Sequence, residues 1–79
     1  MSLDTKLQSI FRDVFDNDTL AFTDSISQQT FADWDSFHQV KLVIAIEEEF
    51  GVKLTTEEAI SWTSGEKLKA GLASKGIAN

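Results

Sequence analysis

Apolar residues recur at helical spacing through the first fifteen residues of the chain. They are Leu3, Leu7, Ile10, Phe11, Val14 and Phe15. This spacing predicts an amphipathic helix over residues 3–15. The Asp16-Asn17-Asp18 stretch that follows ends the predicted helix, because short polar side chains compete for the hydrogen bonds of the backbone.

Residues 16–34 are rich in Asp, Ser, Thr and Gln and contain only isolated apolar side chains. Among them are Leu20, Phe22, Ile26 and Phe31. The pattern predicts a long loop that is attached to a core at a few points. Loops of this length are uncommon in small domains and often have a functional role.

A second helix is predicted to begin at Asp35 or Ser36 and to run to Phe50. Asp35 is a favourable N-cap residue, and Gly51 is a favourable residue for the C-terminal stop. Because an α-helix turns about 100° per residue, the apolar residues of this segment divide into two stripes.

The first stripe of the second helix is predicted to face the other helices. It contains Leu42, Val43, Ile46 and Phe50, and Gln39 shares its direction at the upper rim of the core. The second stripe contains Phe37, Val40 and Ile44, flanked by Lys41, Glu47 and Glu48. Either the 16–34 loop folds over this second stripe, or the stripe is an exposed patch that binds a partner protein. Ser36 lies at the edge between the stripes.

The capping-box spacing Thr-x-x-Glu begins at Thr55 and again at Thr63. The first instance predicts a short third helix over residues 55–61. The second predicts a fourth helix that runs to about Ala73 and buries two leucines, Leu68 and Leu72. The chain is therefore predicted to be one all-α domain over 1–79. The predicted fold is a small four-helix bundle of three main helices and a short third helix, with a long loop between helices one and two.

Composition and charge restrict the function. The chain has no cysteine and one histidine, so no disulfide is available and no metal site is expected. The net charge of −6 argues against nucleic acid as a partner. Residues 13–58 hold eleven acids against two lysines, a net of −9. This acidity is either a solvated face or a field that steers basic partners toward Ser36.

The sequence also bears on cellular location and membrane association. No apolar run approaches the roughly 20 residues of a membrane span. The N-terminus lacks the basic stretch and apolar run of a signal peptide. A cytoplasmic protein that does not associate with membranes is therefore expected.

Ser36 is the residue with candidate chemistry, and it is not expected to be a catalytic nucleophile. His38 is only two residues away, and side chains at that spacing on a helix do not face each other. No catalytic residue is therefore predicted. A phosphate ester on Ser36 would instead meet free backbone N–H groups and the positive end of the helix dipole.

The residues around Ser36 resemble a known family. Two stretches resemble the second helix of acyl carrier proteins. They are Asp35-Ser36-Phe37 and the run Val40-Lys41-Leu42-Val43-Ile44-Ala45-Ile46-Glu47-Glu48-Glu49-Phe50-Gly51-Val52. The family signature is Asp-Ser-Leu with a similar run behind it, and the likeness extends over nearly the whole chain. The resemblance implies that a separate phosphopantetheinyl transferase esterifies Ser36 with 4′-phosphopantetheine from coenzyme A. Asp35 would contribute to recognition by that transferase.

The same resemblance implies a carrier that performs no chemistry itself. Its arm would hold acyl groups as thioesters for acyl-transferring or condensing enzymes with basic docking patches. The expected docking residues are Phe37, Val40, Lys41, Ile44, Glu47 and Glu48. The candidates for lining an acyl pocket are Val43, Ile46, Ile60 and Trp62, which could equally be plain core. A monomer is expected.

Three departures from the family pattern suggest a specialised carrier. Phe37 replaces the signature leucine, and Trp34 replaces a residue that is typically small. His38 and Lys41 occupy positions that are often acidic in carriers of primary fatty-acid synthesis. A specialised fatty-acid, polyketide or related pathway is therefore the leading hypothesis. An aminoacyl or peptidyl carrier and an unmodified helical interaction module are the alternatives.

Overall fold

The computed structural model describes residues 2–77, and within that range it contains four helices and no strand. The helices are α1 (Leu3–Val14), α2 (Ser36–Phe50), α3 (Thr56–Ser61) and α4 (Gly65–Ser74). The predicted all-α fold with a long connection between the first two helices is confirmed. No helix in the described range is long and apolar enough to cross a membrane.

Local capping explains where the helices begin and end. Asp35 caps α2, since its side chain accepts a hydrogen bond from the His38 N–H, and Gly51 ends the helix in the left-handed conformation with φ 64°. Glycine adopts this conformation without the steric cost that a side chain would add. Thr55 caps α3 in a complete capping box. These three predicted boundaries are confirmed.

The predicted start of the fourth helix needs a correction. The capping box at Thr63 was the wrong choice, because Ser64 is the N-cap and its side chain accepts from the Lys67 N–H. Thr63 is engaged elsewhere, since its carbonyl oxygen accepts from the Gln28 N–H at 3.1 Å. This contact with the long loop could not be read from the local spacing.

The core lies between α1, α2 and α4 and includes residues of the long loop. Its fully buried centre consists of Leu7, Phe11, Leu42, Ile46, Leu68 and Leu72. The Phe11 ring lies 5.2 Å from those of both Phe22 and Trp34, so the loop contributes two of the aromatic side chains around it. The prediction of a loop attached at a few apolar points is confirmed, and Trp34 adds a further such point.

Hydrogen bonds and an ion-pair network fix the loop against α1 and α4. The Gly65 N–H donates to the Ile26 carbonyl at 2.7 Å. The Lys69 ammonium lies 2.9 Å from Asp4 and 3.0 Å from Asp24, and these two carboxylates raise the pKa of Lys69. The loop therefore spans the α1 and α4 side of the bundle and leaves one face of α2 uncovered.

Candidate functional site

Ser36 occupies the first position of α2 and is exposed. Within residues 2–77 its hydroxyl has no hydrogen-bond partner. The preceding Asp35 supplies the N-terminal cap, so the serine side chain is not needed to begin the helix. An exposed hydroxyl beside the unpaired N–H groups of a first helical turn is suited to carry a phosphate ester.

His38 fixes the Asp35 carboxylate beside this serine. Oδ1 of Asp35 accepts from the His38 backbone N–H at 2.9 Å and lies 2.8 Å from the His38 ring Nδ1. The backbone bond and then the ring bond hold the pKa of Asp35 below its usual range. The His38 ring is stacked on Phe15 with 5.0 Å between the ring centroids. The charge next to Ser36 is thus anchored to the aromatic part of the core.

A surface cavity of about 460 Å³ opens between α2 and α3, next to Ser36. Its lining consists of Gln28, Ser36, Gln39, Val40, Val43, Ile44, Thr56, Ala59 and Ile60. The long loop therefore contributes Gln28 to the cavity rim. Ser36 shares the cavity with a mostly apolar wall, so a group attached to its hydroxyl could lie against that wall.

The four candidates for an acyl pocket separate into two pairs. Val43 and Ile60 line the cavity. Ile46 and Trp62 lie in the core and not at the cavity, because they face the interior of the bundle. Trp62 lies directly over Gly71 of α4, where a Cβ would overlap its indole ring.

A buried hydrogen-bond network lies at the base of the cavity. The Trp34 indole Nε1–H donates to Oε1 of Gln39 at 2.6 Å. The Gln39 amide Nε2 donates to the carbonyl of Ala59 at 2.8 Å and to that of Trp62 at 3.0 Å. Gln39 is thus buried, and it joins the end of the loop to the last residues of α3 and the residue that follows it.

The sequence interpretation missed this role of Gln39. It placed the residue at the rim of the core and treated Trp34 only as a departure from a family pattern. The sequence did contain an indication of this role. The Gln39 amide lies on the same side of α2 as the core stripe, and Trp34 precedes it by five residues. A buried amide and a buried indole each need partners. The sequence therefore allowed a Trp34–Gln39 hydrogen bond to be predicted. It did not allow the backbone carbonyls that accept from Gln39 to be predicted.

The second stripe of α2 is exposed. The exposed fractions are 65% for Phe37, 60% for Val40 and 50% for Ile44, and Ile60 of α3 is 69% exposed. Of the two interpretations of this stripe, burial under the 16–34 loop is therefore wrong. We call these four residues the exposed apolar surface. A contiguous apolar surface of this kind on a small protein often marks a protein-binding site.

Three charged residues border the exposed apolar surface, and their surroundings differ. The Lys41 ammonium lies 4.6 Å from the centroid of the Phe37 ring. The Glu47 carboxylate accepts from the Leu54 backbone N–H at 2.9 Å. Glu48 is exposed. The expected docking residues thus lie together on α2, although Glu47 also stabilises the chain that follows the helix.

Acid is expected to weaken the caps of α2 and α3. The Thr55 backbone N–H and then the Lys75 ammonium lower the pKa of Glu58, as the His38 bonds lower that of Asp35. Carboxyls with a lowered folded pKa stabilise the fold above their ordinary pKa of about 4, and this contribution is lost as the pH falls through the folded value. Urea unfolding between pH 7 and pH 2.5 should show this loss.

A pair of cap-preserving variants controls for that acid effect. Asp35→Asn and Glu58→Gln retain residues that can cap a helix but carry no titrating carboxylate. Each should flatten the acid dependence of the unfolding free energy relative to the wild-type protein. An unchanged pH profile in both variants would contradict the expectation.

The overall arrangement is similar to that of a solved carrier protein. A solution NMR structure of holo acyl carrier protein from Geobacter metallireducens matches the chain with a TM-score of 0.79 and 29% sequence identity. The match covers 95% of this chain and 85% of the other. The chain has the acyl carrier protein fold. The resemblance inferred from the second helix is thereby confirmed, and the chain resembles a carrier protein. No family model and no curated protein matches this acyl carrier-like chain.

Proposed function

We propose that this protein is an acyl carrier in which 4′-phosphopantetheine is esterified to Ser36. The observation that carries the proposal is the exposed, unpartnered Ser36 hydroxyl at the start of α2, beside an apolar cavity, in a chain with the acyl carrier protein fold. The similar carrier from Geobacter metallireducens is a holo form, which supports an attached arm here. When attached, the arm supplies a thiol that holds acyl groups as thioesters.

The residues around Ser36 have distinct tasks in this proposal. The first turn of α2 stabilises the phosphate ester through its N–H groups and the helix dipole. Asp35 presents a fixed carboxylate to the transferase that attaches the arm. Val43 and Ile60 supply apolar wall against which the arm or the first part of its cargo can lie. The protein holds and delivers its cargo, and the chemistry belongs to partner enzymes of a specialised pathway.

The exposed apolar surface is the proposed docking site for those enzymes. Phe37, Val40 and Ile44 lie along α2 in the turns that follow Ser36, so a bound partner would meet the attached arm. Lys41, Glu47 and Glu48 set the charge around this contact. The concentration of acids over residues 13–58 supports long-range attraction of enzymes with basic docking patches.

Intact-mass measurement tests the proposed attachment. The purified chain is incubated with coenzyme A, Mg²⁺ and a phosphopantetheinyl transferase of broad specificity. We expect a mass gain of one phosphopantetheine group per chain. Absence of any gain with several transferases that load a reference carrier would overturn the proposal. The protein would then be better described as an unmodified interaction module.

A further inference from the structure

The exposed apolar surface has one edge on which the sign of the charge changes. Lys41 and Glu48 are seven residues apart, so they lie on the same side of α2 and about 10 Å apart along its axis. Both side chains are exposed. At about 100° per residue, Glu47 falls on the opposite edge of the stripe. The edge therefore has a positive end near Ser36 and a negative end toward Gly51.

The positive end of this edge is coupled to the apolar contact. The Lys41 ammonium lies over the Phe37 ring at 4.6 Å, within the range of a cation–π interaction. A partner that covers Phe37 therefore also removes water from around the ammonium. Removing a charge from water is unfavourable unless an opposite charge replaces the lost hydration. A partner with an acidic side chain at this point is therefore favoured over one without it.

The negative end of the edge depends chiefly on Glu48. The Glu47 carboxylate already accepts the Leu54 N–H, whereas Glu48 is exposed on the same edge as Lys41. A basic side chain of a partner can therefore pair with Glu48 without breaking a contact within the protein. The two ends together favour a partner that presents an acidic and a basic side chain about 10 Å apart.

We propose that the exposed apolar surface selects partner enzymes that present an acidic side chain to Lys41 and a basic side chain to Glu48. This inference rests on the proposed carrier function and specifies its partners. An enzyme whose docking patch is uniformly basic is repelled at Lys41, and such like-charge contacts are an effective means of rejecting wrong partners. Lys41 is thus the specificity-determining residue of the surface.

A phosphopantetheinyl transferase with a uniformly basic docking patch serves as the probe. The kcat/KM for loading Ser36 is measured from intact mass at low and at high ionic strength. Lys41→Glu should raise this value at least about fivefold at low salt, because one close charge pair in water is worth about 1 kcal/mol and the reversal replaces a repulsion with an attraction. Salt should reduce the gain, because it screens exposed charges. Lys67→Glu on α4 is the matched control, because it makes the same charge change outside the exposed apolar surface. The increase in kcat/KM for this variant should be clearly smaller.

Charge reversal on the transferase tests the acidic partner directly. Each basic residue of its docking patch is changed singly to Glu and assayed with the wild-type carrier and with Lys41→Glu. We expect one reversal that raises kcat/KM with Lys41 and lowers it with Lys41→Glu, a coupling of about threefold or more. This inference would be overturned if Ser36 is loaded normally, no position shows coupling, and Lys41→Glu and Lys67→Glu give equal gains. The carrier function would then remain intact. Failure to load Ser36 at all would overturn both.

Discussion

The Ser36→Ala variant is expected to take up no phosphopantetheine while it folds as well as the wild-type protein. The serine hydroxyl is the proposed attachment atom, so its removal should abolish the mass gain completely. The fold should be spared because Asp35, and not Ser36, caps α2. The unfolding free energy should therefore change by less than about 0.5 kcal/mol, as for other surface substitutions. Intact mass and urea unfolding measure the two quantities on the same samples.

Ser64 provides the control, because its removal should affect stability and leave loading unchanged. Ser64 caps α4, and its Oγ accepts from the Lys67 N–H at 3.1 Å. Ser64→Ala should lower the unfolding free energy by about 1 kcal/mol, as is typical when a cap is lost. Its loading should continue, because Ser36 and the first turn of α2 are unchanged. A mass gain that persists in Ser36→Ala would show that the attachment site is elsewhere.

The Gln39→Leu variant is expected to be strongly destabilised. It leaves the Trp34 indole N–H and the carbonyls of Ala59 and Trp62 without the partner that they share. A buried polar group left unpaired costs about 1–3 kcal/mol, so the loss from the three groups should be at least about 3 kcal/mol. Small domains are only marginally stable. Urea unfolding should therefore show a large fall in the midpoint, and amide exchange in α3 should become faster.

Two further variants separate this network from a general effect of the substitution. Gln29 is exposed in the long loop. Gln29→Leu makes the same chemical change there, with an expected effect within about 0.5 kcal/mol. A double-mutant cycle with Trp34→Phe should give a coupling energy of about 0.5–3 kcal/mol between the two side chains. Equal stability of Gln39→Leu and Gln29→Leu would contradict the structural role of the network.

The expected consequence of the network for function concerns the cavity. Gln39 holds the end of α3 against α2, and the cavity wall next to Ser36 comes from both helices. Loosening α3 therefore changes the apolar wall without touching the attachment residue. Trp34, which departs from the family pattern, acts through this network.

The structure also clarifies the other departures near Ser36. His38 fixes the Asp35 carboxylate and stacks on Phe15. Phe37 and Lys41 pair with each other on the exposed surface. The four unusual residues therefore fall into two groups. Trp34 and His38 make contacts within the protein, and Phe37 and Lys41 form a surface group that bears on partner choice.

The sequence by itself determined the features that depend on local interactions. Asp35, Gly51 and the Thr55 capping box act within one or two helical turns, so their positions alone predicted the boundaries of α2 and the start of α3. The helical period likewise separated the two stripes of α2. The position of Ser36 at the start of a helix, and the likeness to acyl carriers, followed from the same local pattern.

Only the tertiary structure decided which groups meet across the chain. The path of the long loop left Phe37, Val40 and Ile44 exposed and brought Gln28 to the cavity. The loop also contacts the carbonyl of Thr63, and the N-cap of α4 is Ser64 and not the predicted Thr63. The two carbonyl groups that accept from Gln39 lie twenty or more residues away, on α3 and just beyond it. Such contacts depend on how whole elements pack, because the periodicity of one helix does not specify what covers each of its faces.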